Sequence, residues 1–113
     1  MTGYSRGDVV LVPYPIGDRP SSKKRPALVL STTDEAEAAT EVVIAQITGR
    51  LDGPPRHGDH KVAQWQEAGL LRPSLVRCRL ATLPASAVIR KLGALDDEDL
   101  RGVEAGLREA LGL

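Results

Sequence analysis

Apolar residues in this chain come in short runs parted by polar stretches rich in proline and glycine, and only the C-terminal stretch breaks that rhythm. Asp8–Tyr14 carries Val9, Val10, Leu11 and Val12 without a polar interruption, which predicts a strand covered on both faces. Pro13 and Pro15 remove ladder donors, so that strand ends near Tyr14 or lies at an edge. Ile16–Lys24 holds Gly17, Asp18, Pro20 and two serines and predicts a loop. Arg25–Ser31 predicts a second strand, and Glu41–Thr48, with Val42, Val43, Ile44 and Ile47, a third. Thr32–Thr40 between them fits one exposed helical turn or a loop. Gly49–His60, with Pro54-Pro55, predicts a second long loop.

The later chain continues in short pieces. His60–Ala63 predicts a short strand, and Trp65–Leu71 a turn or brief helix ending at Gly69. Ser74–Thr82 alternates, with Val76, Cys78 and Leu80 on one face and Arg77, Arg79 and Ala81 on the other. Val88–Leu92 predicts a last strand closed by Gly93.

The end of the chain reads as a helix. Asp96 is the expected N-cap with Asp99 at N3, and Leu95 and Leu100 occupy the staple positions. Leu100, Val103, Leu107 and Leu111 recur on one face, and Gly112 terminates it. Gly102 and Gly106 each weaken an isolated helix by about 1 kcal/mol relative to alanine, so this one depends on packing against the strands. Short strands, long polar loops and one terminal helix predict a mainly β fold, a small antiparallel, partly open barrel with a C-terminal helix. The 113 residues make one domain, 1–113.

Charge changes this picture in one respect. The chain is neutral overall, with 15 basic and 15 acidic residues. From Asp96 onward six acidic residues face only Arg101 and Arg108, so an acidic helix carrying −4 is joined to a body carrying +4. A protein that coats nucleic acid without selectivity is disfavoured, while a local anion site on the body is not. Aromatic residues are scarce, with Tyr4, Tyr14 and Trp65 and no phenylalanine. Any grip on a single strand would therefore lean on charge and hydrogen bonds rather than stacking. Cys78 is the sole cysteine, which excludes an internal disulfide and a cysteine metal site. No run is long enough to span a membrane and no signal-peptide pattern opens the chain, so a cytoplasmic setting without membrane contact is expected.

Candidate chemistry centres on Arg25. Pro26 biases it toward extended backbone, so the guanidinium is expected at a fixed place at the mouth of a strand. Arg19, Lys23 and Lys24 lie near it in sequence. Arg50, Arg77 and Arg79 are further cations with weaker claims. His57 and His60 sit three apart in the second loop, but two ligands do not make a metal site, and no metal or cofactor is expected.

Three stretches carry a resemblance: Arg6-Gly7-Asp8-Val9-Val10-Leu11-Val12, Lys24-Arg25-Pro26-Ala27-Leu28-Val29-Leu30-Ser31 and Ile44-Ala45-Gln46-Ile47-Thr48. With Gly69-Leu70-Leu71, Ser74-Leu75-Val76, Leu80-Ala81-Thr82, Leu92-Gly93-Ala94-Leu95 and the closing Leu-Gly-Leu, they resemble the MazF/PemK toxins of bacterial toxin–antitoxin pairs. The resemblance implies an SH3-like barrel, a homodimer and a metal-independent endoribonuclease that cuts single-stranded RNA and is neutralised by a cognate antitoxin. It implies attack by a 2′-hydroxyl on the adjacent phosphate, leaving a 2′,3′-cyclic phosphate and a 5′-hydroxyl. The family's Arg-Pro arginine falls on Arg25 and its strand-end hydroxyl on Thr48, the two expected catalytic residues. Arg19, Lys23, Lys24, Arg50, Arg77 and Arg79 are the expected RNA contacts.

The chain departs from the family at Ser21-Ser22, where glycine is common, and at Cys78-Arg79, where an acidic residue and glutamine are common. Two rival readings stand beside the nuclease: a barrel that inhibits DNA gyrase by binding it, and an inactive module that only binds an antitoxin.

Overall fold

In the computed structural model, which describes residues 3–14, 23–32 and 41–113, the uninterrupted valines of the first strand face two separate cores. Val9 packs with Leu28, Ala45, Ile47 and Val76 on one side of the sheet. Val10 and Val12 pack with Ala27, Val29, Ile44 and Leu83 on the other. Val9, Val10 and Val12 are all fully buried, so the double-sided burial read from the run is present.

The strands are β1 (Asp8–Tyr14), β2 (Lys23–Val29), β3 (Glu41–Thr48), β4 (His60–Lys61), β5 (Leu75–Pro84) and β6 (Arg90–Ala94), followed by α1 (Asp97–Leu111). They form one sheet in the order β4-β5-β3-β2-β1-β6, with every pairing antiparallel. The result is a half-barrel with one C-terminal helix, the mainly β architecture expected.

Helix α1 covers the first core with Val103 and Leu107, and Leu100 packs at its edge. Asp96 caps it by accepting the Asp99 N–H at 2.8 Å, and Gly112 ends it in the left-handed conformation at φ 72°. The two interior glycines have a packing reason. A Cβ at Gly106 would meet the Gly58 carbonyl oxygen at 2.6 Å, and one at Gly102 would run into the His60 ring. Only residues without a side chain let the helix come this close to the segment before β4. Leu111, expected on the buried face, is instead half exposed.

Several boundaries differ from the sequence reading. Strand β2 begins at Lys23 rather than Arg25, because Lys23 and Lys24 pair with Tyr14 and Pro13 of β1. Its ladder ends at Val29, and past it the Ser31 hydroxyl accepts the Val43 N–H at 3.0 Å. Strand β4 is only two residues long, since the Asp99 carboxylate takes the N–H groups of Ala63 and Gln64 that a longer strand would use. The following stretch is a turn closed by Ala68 N to Gln64 O and Leu70 N to Trp65 O.

In β5 the predicted alternation fails at its middle. Arg77 pairs with Gln46 and Leu80 with Ala45, so Cys78 and Arg79 are left out of register with β3 and Leu80 is 40 % exposed. The last strand is shifted to Arg90–Ala94, after a 3₁₀ turn at Ala85–Ala87. Of the expected loop Ile16–Lys24, residues 16–22 with Arg19 lie outside the described residues, as does most of Thr32–Thr40.

Candidate functional site

Pro26 opens the sheet where the site forms. Leu30 N donates to Val43 O, and nitrogens along a strand point alternately to its two neighbours, so those of residues 28 and 26 also face β3. Residue 26 is proline and has no hydrogen to give. The β2–β3 register accordingly runs only from Val29↔Ile44 to Ala27↔Gln46. Continued past the proline, that register sets Arg25 opposite Thr48. On its other side Arg25 pairs with Val12 of β1, and Thr48 pairs with Leu75 of β5. Both backbones are fixed by neighbouring strands at the point where the ladder between them stops.

Arg25 and Thr48 line a groove of about 600 Å³. Leu11, Pro26, Ile47, Leu70 and Leu92 form its apolar part. Lys24, Arg25, Arg50, Arg72 and Arg90 line it as well, and among the described residues no carboxylate does. Five cations around one concavity in a neutral protein make a strongly positive, focused field. Five acidic residues are engaged elsewhere: Asp8 with Lys91, Asp59 with Arg77, Glu104 with Arg6, Asp99 with His60 and Glu109 with His57. Among the described residues none of the five groove cations has an ion-pair partner.

The Thr48 hydroxyl oxygen accepts the Arg50 N–H at 3.1 Å. Its own hydrogen is left to donate into the groove, and the bond ties the turn bearing Arg50 to the end of β3. A guanidinium carried on a fixed backbone and a hydroxyl donor in the same groove can together hold the oxygens of one phosphate.

The other expected contacts are distributed unevenly. Lys24 and Arg50 line the groove, while Lys23 is exposed one residue further out on β2. Arg79 is exposed on β5 and is not among the groove residues. Arg77 is turned to Asp59, donating from Nε at 3.1 Å and Nη2 at 3.0 Å in a two-pronged pair. The Arg77 guanidinium holds the Asp59 carboxyl below its usual range, and Asp59 raises Arg77 in return. Arg19 lies outside the described residues.

Both histidines face helix carboxylates, His57 at 2.6 Å from Glu109 and His60 at 2.9 Å from Asp99. Among the described residues no cluster of three or more histidine, cysteine or acidic side chains is arranged to hold a metal. Nor is any helix there long and apolar enough to cross a membrane.

Two groove cations, Arg72 and Arg90, were not singled out in the sequence. Arg72 had a local signal, since Arg72-Pro73 repeats the dipeptide of Arg25-Pro26. Arg90 had none. It reaches the groove because β6 pairs with β1, setting Arg90 against Leu11 across most of the chain length.

Comparison with known proteins bears on the same fold. No curated protein matches the sequence. The structure is similar to the toxin MazF-mt6 of Mycobacterium tuberculosis, with TM-score 0.74, 23 % identity and coverage of 94 % of this chain and 97 % of that one. It is similar to an endoribonuclease from a mycobacterial species solved with its cognate antitoxin, with TM-score 0.76, 18 % identity and coverage of 98 % and 97 %. It also resembles the MazE-MazF structure from Deinococcus radiodurans, with TM-score 0.72, 20 % identity and coverage of 97 % and 96 %. At such identities the likeness speaks for the fold. The family itself comes from a sequence model, PemK-like, MazF-like toxin of type II toxin–antitoxin systems, which matches residues 5–111. That match spans nearly the whole chain, and the protein belongs to the MazF/PemK family of toxins.

Proposed function

We propose that this protein is a toxin endoribonuclease that cleaves single-stranded RNA in the groove between Arg25 and Thr48. The observation that carries the reading is the convergence of a guanidinium and a hydroxyl, from strands that stop pairing at Pro26, in a concavity lined, among the described residues, by five cations and no carboxylate.

The chemistry follows from the substrate. The 2′-hydroxyl attacks the adjacent phosphorus and gives its proton to solvent, the bond to the 5′-oxygen breaks and that oxygen takes a proton from solvent, and the products are a 2′,3′-cyclic phosphate and a 5′-hydroxyl. Negative charge gathers on the non-bridging oxygens as the phosphorus becomes five-coordinate. Arg25 offers those oxygens a planar fork of donors whose charge is permanent. Thr48 donates its hydroxyl hydrogen to a phosphate oxygen or to the 2′-oxygen, since accepting the Arg50 N–H leaves that hydrogen free. Arg25 thus acts as an electrostatic stabiliser and Thr48 as an orienting donor. Lys24, Arg50 and Arg90 attract the strand, and no step requires a metal.

A cognate antitoxin, a homodimeric state and a cytoplasmic setting complete the proposal. Family membership supports the antitoxin, as do the antitoxin partners of the mycobacterial and Deinococcus structures. The pairing of Arg25 with Thr48 favours cleavage over gyrase binding or an inactive module, neither of which needs that arrangement.

The deciding experiment incubates the purified, antitoxin-free protein with a mixed pool of single-stranded RNA in excess EDTA and maps the ends produced. Cleavage with 2′,3′-cyclic phosphate termini is the expected result. Intact RNA from a folded sample refutes the nuclease, and growth arrest with broken DNA would point to gyrase instead.

A further inference from the structure

The groove wall that bears Thr48 continues into Arg72. Gly49 follows Thr48 directly, and a Cβ built there would overlap the Arg72 side chain at Cδ and lie 3.1 Å from Cγ and 3.4 Å from Nε. The stem of Arg72 is therefore laid across the backbone beside Thr48, and a glycine is what leaves it room. Its own backbone is held as well. Pro73 keeps Arg72 out of the helical region, and the buried Ser74 hydroxyl donates to the Arg72 carbonyl at 2.9 Å. Among the described residues Arg72 has no carboxylate partner. A guanidinium with a seated stem and a free fork on a groove wall is suited to a phosphate.

A single strand that presents one phosphate to Arg25 and Thr48 carries others on either side of it. We propose that Arg72 anchors a phosphate flanking the scissile one, with its stem positioned by the Gly49 backbone; this rests on the reading of the groove as an RNA site. Such a contact lies away from the reacting atoms and holds substrate and transition state alike. It strengthens binding and leaves the chemical step unchanged.

The test measures binding of an uncleavable single strand carrying 2′-O-methyl riboses, beside cleavage of the matching RNA. The proteins compared are wild type, Arg72→Ala, Arg72→Lys, Gly49→Ala and the Gly49→Ala/Arg72→Ala double variant. Arg101→Gln, on an exposed position of α1, controls for charge. Arg72→Ala is expected to weaken binding about tenfold, and to lower the slope of log affinity against log salt by about 0.7, the value for one phosphate contact on a single strand. Arg72→Lys falls between, Arg101→Gln binds as wild type, and kcat of Arg72→Ala stays within about twofold of wild type because the lost contact binds uniformly. Gly49→Ala weakens binding when Arg72 is present and has no added effect when it is absent, since its Cβ acts by displacing the stem.

Unchanged affinity and salt slope in Arg72→Ala overturn the proposal. Lost kcat with intact binding overturns it too, by moving Arg72 to the reacting phosphate. Equal damage from Gly49→Ala in both backgrounds overturns the seating on Gly49. Because the binding arm uses an uncleavable strand, a wild-type protein that fails to cut RNA refutes the enzymatic reading, and Arg72 is still judged on the same binding comparison.

Discussion

His60 Nε2 lies 2.9 Å from the carboxylate of Asp99, which is 3 % exposed and also accepts the N–H groups of Ala63 and Gln64 at 2.9 and 3.0 Å. One side chain on the first turn of α1 thus holds the histidine that opens β4, the end of that strand and the turn after it. Burial pushes the Asp99 carboxyl up, but the two backbone donors and His60 outweigh it and hold the group below its usual range. A lowered folded-state pKa means that stability from Asp99 is whole above the ordinary carboxylate range. It is lost as pH falls through that range toward the depressed folded value. Denaturant unfolding at a series of pH values is expected to show wild type losing this increment on acidification and Asp99→Asn lacking it throughout. Asp99→Ala is expected to cost about 3 kcal/mol at neutral pH, because buried donors are left without an acceptor. A pH profile of Asp99→Asn parallel to that of wild type would contradict this account.

Arg25→Ala is expected to slow RNA cleavage by about two to three orders of magnitude, the loss typical of one strong transition-state donor. Thr48→Val, which keeps the shape and removes the hydroxyl, is expected to act on the same step. If both residues hold one phosphate, the double variant loses less than the product of the two single losses. Strict multiplicativity in single-turnover rates would place them on different groups.

Arg77 is expected to matter for stability rather than for RNA. Its two-pronged pair with Asp59 is largely buried, at 16 % and 10 % side-chain exposure. Arg77→Gln strands the carboxylate and is expected to cost about 2–3 kcal/mol in chemical denaturation. Cleavage per folded molecule stays near the wild-type value, because the guanidinium is held by Asp59 and Arg77 is not among the groove residues. The pair also makes the protein acid-sensitive: Asp59 is held low, so its contribution is present above the ordinary carboxylate range and fades as pH drops below it. A clear rise in KM with unchanged stability would return Arg77 to the RNA.

Gly106→Ala tests propensity against packing. On an isolated helix the change is worth about 1 kcal/mol in favour of alanine. Here the new Cβ would meet a backbone oxygen, Gly58 O, at 2.6 Å, and Gly58 itself sits at φ 90°, where a shift of its backbone is costly. The melting temperature is expected to fall, by several degrees if the net cost reaches about 1 kcal/mol in a domain of this size. A higher melting temperature would mean that the helix moves away from the loop without loss.

Much of the fold was legible because its signals are local. The valine run of β1, the β-branched third strand, and the Asp96 cap and Gly112 stop of α1 each act within a few residues of backbone. The same locality made Arg25 readable, since Pro26 constrains its neighbour directly. What local pattern misses are the events set by distant segments. The Asp99 carboxylate cuts β4 short, β5 loses register with β3 beside Cys78 and Arg79, and Asp59 claims Arg77. Each depends on a partner that the chain reaches only by folding.

The candidate site divides in the same way. By itself the sequence determined the residue types, the extended backbone at Arg25 and a hydroxyl at the end of the third strand. Only tertiary structure decided that they line one groove. Antiparallel register sets Arg25 and Thr48 across a ladder that Pro26 interrupts, pairing of β6 with β1 brings in Arg90, and Gly49 seats Arg72 beside them. Spacing along a chain cannot specify such contacts, because side chains far apart in sequence are made neighbours by hydrogen-bond register between strands and by where acids are left to neutralise them.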